Sequence, residues 1–169
     1  GDPPEYFDQV ILACHSDQAL AMLEDPSERE RELLGAIPYQ KNNTVLHTDS
    51  RLLPSLPKAR ASWNCCIPRQ ERGGVSLTYW MNKLQSLQAP VDFCVTLNDP
   101  ETIAPERIHR RLVYHHPVYS PAAFAAQKRK DEISGSNRTW YCGAWWGYGF
   151  HEDGLNSALE VCRHFGKTL

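Results

Sequence analysis

The sequence predicts a mixed α/β fold, α+β in its proportions, with a β-rich segment set between two α/β ends. Three observations lead there. A nearly continuous apolar run, FDQVILAC (7–14), passes directly into a capped helical pattern. Five short segments rich in β-branched and aromatic residues, punctuated by Pro, Gly and Asn, occupy most of residues 42–119. The chain then closes with a strand-like stretch, a glycine turn and an amphipathic helix over residues 139–166. Apolar runs leading straight into helices mark buried parallel strands. Short punctuated segments mark an antiparallel sheet or meander. The simplest organisation joins residues 1–38 and 138–169 in one layer and inserts residues 39–137 between them.

The elements follow in order. After the first strand, HSDQALAML (15–23) has Ser16 or Asp17 as N-cap and Ala19, Leu20, Met22 and Leu23 as its apolar face. DPSERERELLGAI (25–37) is a second helix: Ser27 caps it, Glu30 stands three residues on, and Gly35 marks its end. The five strand segments are 42–50, 59–67, 74–81, 91–98 and 108–119. NKLQSL (82–87) and SPAAFAAQKRKDEISG (120–135) are helical interludes, the second with Ser120 as cap and Pro121 at its first position. QKRKDE (127–132) is expected to be a solvated face. TWYCGAWWGYG (139–149) is a strand ending in a glycine turn. The last helix, EDGLNSALEVCRHFG (152–166), places Leu155, Ala158, Leu159 and Cys162 on one face and stops at Gly166.

Composition narrows the function classes. Hydrophobic residues make up 41% and charged residues 22%, ordinary for a globular domain. A formal charge of −2 supplies no electrostatic argument for nucleic acid or an anionic membrane. No apolar run reaches the roughly 18–20 residues of a bilayer span, and GDPPEYFDQV lacks the basic and apolar regions of a signal peptide. Six cysteines at 14, 65, 66, 94, 142 and 162 form no CxxC pair. They read as buried free thiols in a cytoplasmic protein, with no metal centre implied.

The chemistry concentrates in CGAWWGYGFHEDG (142–154). Gly143, Gly147 and Gly149 permit positive φ or close approach to a flat ligand. The helix behind them begins near His151 to Asp153; its first N–H groups have no intrahelical partners and carry the positive end of the helix dipole. Glu152 and Asp153 already meet that dipole, which disfavours a phosphate and favours a carbonyl or a delocalised ring anion. A glycine-rich turn entering a surface helix is the plain structural alternative.

YCGAWWGYGFHEDGL (141–155) resembles the flavin-contacting segment of the flavin-containing amine oxidase superfamily, and most closely its bacterial branch of NAD/FAD-binding proteins. VILACHSDQAL (10–20), VLHTD (45–49), ASWN (61–64), LTYWMNKLQ (77–85), VTLN (95–98) and YHHPVYS (114–120) extend the likeness along nearly the whole chain. The resemblance implies an interrupted Rossmann-like FAD domain (1–38 and 138–169) and an antiparallel β-rich substrate domain (39–137). It implies FAD as cofactor and hydride transfer from a small-molecule substrate to the flavin. The cofactor-binding residues would be Gly143, Ala144, Trp145, Gly149, Phe150, His151, Glu152 and Gly154. The N–H groups of His151 and Glu152 would face the pyrimidine edge, and Gly143 and Ala144 would pass near the ribityl chain. Trp145, Trp146 and Tyr148 would line the substrate side of the ring, with Trp63, Tyr79 and His115 as further pocket candidates.

One departure stands out. The family's N-terminal GxGxxG loop has no counterpart here; neither Gly73–Gly74 nor the final glycine cluster fits it. The chain therefore resembles the C-terminal portion of a longer oxidoreductase, expected to hold little FAD and to be inactive by itself. The alternative is a non-catalytic fragment or partner-binding domain without flavin. A Cys–His hydrolase is a weaker rival, since no GxSxG or cysteine-protease string is present. Four histidines stay open. His15 either lines a nucleotide cleft or belongs to a helix-capping turn. His47 and Asp49 either form a polar pair near substrate or lie on an exposed strand face. His115 and His116 point to opposite faces of their strand.

Overall fold

The computed structural model describes residues 3–67, 76–98 and 102–169. Gly73–Gly74 and the start of the 74–81 segment lie outside the described residues. The chain is mixed α/β, with a small parallel sheet and a five-stranded antiparallel sheet. It divides into two compact units, Gly1–Gln40 with Pro117–Leu169, and Lys41–His116. Residues 117–137 thus fall in the first unit with the terminal segments, where the sequence reading assigned them to the β-rich segment.

The first unit is built on a parallel pair, β1 (Val10–Leu12) and β7 (Thr139–Tyr141), in the register Val10 to Thr139 and Leu12 to Tyr141. β1 is shorter than the apolar run that announces it. Helices α1 (Ser16–Met22), α2 (Glu28–Gly35), α4 (Pro121–Gln127) and α5 (His151–His164) belong to the same unit. Its core gathers Ala19, Leu33, Leu34, Ile37, Ala123, Ala126, Ile133, Tyr141 and Trp145. Small residues on α1 and α4 allow close helix contact, while the leucine pair of α2 supplies bulk.

The helix starts are chemically distinct. Ser27 and Glu30 cap α2 reciprocally: the Glu30 N–H donates to Ser27 Oγ at 3.2 Å, and the Ser27 N–H donates to Glu30 Oε2 at 2.7 Å. Ser120 caps α4 through the Ala123 N–H at 3.1 Å, with Pro121 at the first helical position. The start of α1 differs from expectation. His15, and neither Ser16 nor Asp17, stands at the N-cap; the Gln18 side chain accepts the His15 N–H at 3.2 Å. The His15 ring stacks on Tyr39 at 4.4 Å, and the Ser16 N–H donates to the Tyr39 hydroxyl at 2.9 Å.

The second unit holds the sheet, in the order β3 (Trp63–Cys66), β4 (Ser76–Trp80), β5 (Cys94–Leu97), β2 (Tyr39–His47), β6 (Ile108–Pro117). A single-turn helix, α3 (Met81–Leu84), joins β4 toward β5. His47 and Asp49 are fully buried, which corrects the exposed-face reading. The Asp49 N–H donates to His47 Nδ1 at 3.1 Å, and His47 Nε2 lies 2.7 Å from the Thr96 hydroxyl. Thr96 continues to Thr78 at 2.9 Å, giving a polar ladder inside the sheet. The Arg51 guanidinium holds the Asp49 carboxyl well below the usual range, and the N–H groups of Ala104 and Arg51 reinforce it against the cost of burial.

The thiols are more varied than expected. Cys94 and Cys142 are buried, Cys14 and Cys162 are half-buried, and Cys65 and Cys66 on β3 are exposed. Among the described residues no helix is long and apolar enough to cross a membrane.

Glu30 connects two parts of the first unit. It is 2% exposed, and its Oε1 accepts the Tyr141 hydroxyl at 2.6 Å. Burial works to raise this carboxyl. Hydrogen bonds from Tyr141 and from the Ser27 hydroxyl and N–H outweigh it and leave the carboxyl below its ordinary value. Its stabilising contribution is therefore complete above the unfolded carboxyl pKa and is lost as pH falls through the lowered folded value. Tyr141→Phe should cost about 1–3 kcal/mol at neutral pH. The deficit should narrow as pH drops below roughly 4. Denaturant melts across pH 3–7 check this, and an unchanged deficit at all pH values would contradict it.

Candidate functional site at the start of the last helix

The loop from Gly143 to Phe150 enters the first unit through β7. Cys142 N–H bonds the Leu12 carbonyl at 3.2 Å, so the parallel ladder runs up to the loop. Trp145 then turns inward. It is 2% exposed, and its indole N–H donates to the Cys14 carbonyl at 2.8 Å. The sequence reading placed Trp145 on a ligand; its buried ring is instead the core anchor of the loop. Trp146 lies against it with ring centroids 4.0 Å apart and donates to the Tyr141 carbonyl at 3.2 Å.

Three side chains fasten the loop backbone. Ser157 of α5 accepts the Gly143 N–H at 2.9 Å, and its hydroxyl lies 2.9 Å from the Gly154 carbonyl and 3.2 Å from that of Gly143. Gln127 of α4 donates to the carbonyls of Trp145 at 2.9 Å and Gly147 at 2.7 Å. The Asp153 carboxylate accepts the N–H groups of Tyr148 at 3.0 Å and Phe150 at 2.9 Å. Gln127 was expected on a solvated face, and only the structure gives it this task.

The glycines serve the loop itself. A Cβ on Gly143 would meet the Trp145 indole, and one on Gly147 would meet the Asp153 carboxyl at 2.5 Å. Gly149 adopts φ +87°, a left-handed conformation that favours glycine, with the Tyr119 hydroxyl directly against it. The space beside Gly143 and Gly147 is therefore filled by protein and is not open to a flat ligand. Gly154 packs over the backbone of Ala144, bringing α5 close to the loop.

What faces outward is the start of α5. The Gly154 N–H bonds the Phe150 carbonyl at 3.2 Å and opens the helical ladder. The N–H groups of His151, Glu152 and Asp153 precede that ladder and have no acceptor among the described residues. Three aromatic rings gather beside them. Tyr119 lies 5.9 Å from Phe124 and 6.5 Å from Tyr148, and Phe124 lies 6.0 Å from Tyr148. Tyr148 is 68% exposed, and Phe150 is exposed too. The Tyr119 hydroxyl is buried without a hydrogen-bond partner among the described residues. Burial, with the negative charge of Asp153 and the nearby Tyr39, pushes it up to about 12, so it is a neutral O–H at physiological pH. Tyr119 and Phe124 were missed in the sequence because they lie on either side of the Ser120 cap, remote from the motif.

Gly143, Ala144, Gly149, Phe150, His151, Glu152 and Gly154 thus share one loop–helix junction, with Trp146 and Tyr148 on the same loop. The other pocket candidates, Trp63, Tyr79 and His115, belong to the second unit. Trp63 and Tyr79 meet edge to face at 5.3 Å across β3 and β4. His115 is exposed on β6, while His116 lies 2.9 Å from the Asn42 amide. No group of three or more His, Cys, Asp or Glu residues suited to a metal is present among the described residues. His47 and Cys94 face each other in register, but burial, with Asp92 and Asp49 nearby, raises the Cys94 thiol to about 12. Such a thiol is a poor nucleophile, which weighs against the Cys–His hydrolase.

No family model matches this chain, and no curated protein matches it. Nine solved chains do match. Among them is a CLA-producing fatty acid isomerase from P. acnes, with a TM-score of 0.57 at 18% identity. The match covers 94% of this chain and 42% of that one. At that identity the likeness establishes a shared fold, and the chain spans about two-fifths of the neighbour's length.

The loop clamps are testable. Asp153→Ala frees two N–H groups and should cost about 1–2 kcal/mol. Amide exchange at Tyr148 and Phe150 should accelerate; unchanged exchange would mean that the carboxylate does not hold the loop.

Proposed function

We propose that this chain is the C-terminal portion of an FAD-dependent oxidoreductase resembling the amine oxidases. In this reading the start of α5 receives the electron-rich edge of the flavin. The observation that carries it is the set of outward N–H groups at His151, Glu152 and Asp153, beside the unpartnered Tyr119 hydroxyl and the exposed Tyr148 ring. Three N–H donors at the positive end of a 14-residue helix suit a carbonyl-bearing, delocalised anion. Asp153 spends its carboxylate on the loop, so its charge is partly neutralised by the N–H groups it accepts. When bound, the flavin would supply hydride acceptance from substrate.

This chain's own residues would orient and shield. His151 and Glu152 would donate N–H groups to the ring edge. Phe124 and Tyr148 would exclude water from that side. Tyr119 would back this wall with its ring, its hydroxyl being buried. Gln127, Ser157 and Asp153 would hold the loop so that these groups need no rearrangement on binding.

A longer parent polypeptide would contribute the phosphate-binding part. The competing reading is a partner-binding fragment without flavin, and flavin spectroscopy separates the two. The isolated chain should hold little FAD, whereas a parent containing it should be yellow, absorbing near roughly 450 nm. Stoichiometric, tight FAD on the chain alone would refute the half-site view, and a colourless parent would refute the flavin view.

His151→Pro is the sharper probe. Proline is well tolerated at the first helical position, so this change removes one N–H while leaving α5 intact. FAD retention in the parent should fall about tenfold, the size of one lost charge-assisted hydrogen bond. Undiminished flavin content in a folded variant would count against the proposed contact.

A further inference from the structure

The second unit carries a cleft of its own. Pro57, Lys58, Arg60, Trp80, Asn82, Lys83 and Leu87 line a broad groove of about 490 Å³ that is largely open to solvent. The apolar surface comes from Trp80, Leu87 and Pro57. The charge comes from Lys58, Arg60 and Lys83, and no acidic side chain is among the lining residues.

The fixed parts of this cleft are held from behind. Asp92 accepts the Trp80 indole N–H at 2.9 Å and lies 3.5 Å from the Arg60 guanidinium. Arg60 Nε also donates to the Pro54 carbonyl at 2.9 Å. The Asn82 side chain is spent on the Val91 carbonyl at 2.8 Å and the Phe93 N–H at 2.7 Å. The lysines are not matched in this way. Lys83 donates one hydrogen to the Arg60 carbonyl at 3.1 Å and keeps two. Lys58 has no acidic partner among the described residues.

We propose that this cleft binds an amphipathic monocarboxylate, its head between Lys58 and Lys83 and its apolar body along Trp80 and Leu87. A compact inorganic anion would leave the indole and Leu87 wet. A neutral apolar molecule would gain nothing from the two ammonium groups. A carboxylate on an aliphatic or aryl body answers both. The site stands whether or not the flavin reading holds.

Calorimetric titration of the purified chain with decanoate, below its aggregation concentration, and with decanol tests this. Decanoate should bind saturably at one site, and decanol about tenfold more weakly. The paired Lys58→Ala and Lys83→Ala variant should lose about tenfold in decanoate affinity and nothing in decanol affinity. Both lysines are exposed, so the variant should fold, and circular dichroism checks that. Raising salt should weaken decanoate binding alone. Equal affinity for decanol and decanoate would overturn the proposal, as would an unchanged affinity in the lysine variant. Absence of decanoate binding together with binding to anionic phosphatidylglycerol vesicles would also overturn it, marking the cleft as a membrane-surface contact.

Discussion

The buried carboxylate of Glu30 is the constraint on which the first unit depends. One oxygen closes the start of α2 on Ser27, and the other receives the hydroxyl of Tyr141, the last residue of β7. A carboxylate with 2% exposure is tolerable only because each oxygen is satisfied. The bond to Tyr141 also fixes where β7 ends, and the loop that follows takes its bearings from that point. Trp145 then reaches the Cys14 carbonyl, tying the loop to the chain just past β1. Only after these anchors do Gln127, Ser157 and Asp153 fasten the backbone that leads into α5. The exposed donors at His151 and Glu152 are the last links of a chain of contacts that begins in the core.

Local patterns carried much of the fold. Ser27 with Glu30, and Ser120 with Pro121, announce helix starts through chemistry confined to four residues, and both stand where the sequence places them. The β-branched segments likewise mark each strand of the sheet, though their ends move by a few residues. What escaped was set by distance along the chain. Nothing local to Glu30 shows that its second oxygen will meet a tyrosine 111 residues away. His47 and Asp49 read as an exposed polar face, because alternation alone does not tell which face a sheet buries. Trp145 and Trp146 look alike in the sequence, yet one is fully buried and the other only partly buried against the same core.

The site motif was legible as a unit and misleading in detail. Its glycines read as room for a ligand, while Gly143 and Gly147 make room for the protein's own Trp145 and Asp153. The start of α5 and its outward N–H groups follow from the sequence, because helix starts always leave such donors. The aromatic wall of Tyr119 and Phe124 does not, since it comes from the cap of a different helix. In the second unit, the ladder from His47 through Thr96 to Thr78 has the same origin. Each member is an ordinary strand residue, and only cross-strand register makes them a network. Buried polar ladders of this kind penalise any slipped pairing, since a shift of one residue would leave every hydroxyl without its partner.

The parallel pair β1–β7 has a consequence for assembly. Parallel strands are normally covered on both faces and flanked by further strands. Here Val10 and Ile11 are 40% and 47% exposed, and among the described residues no third strand joins either outer edge. A row of unpaired backbone donors and acceptors beside apolar side chains accepts any extended segment that presents itself. Such an edge favours no particular donor, and which extended segment pairs with it is a question of effective concentration: a tethered segment is favoured in dilute solution, and a second copy as the chain is crowded.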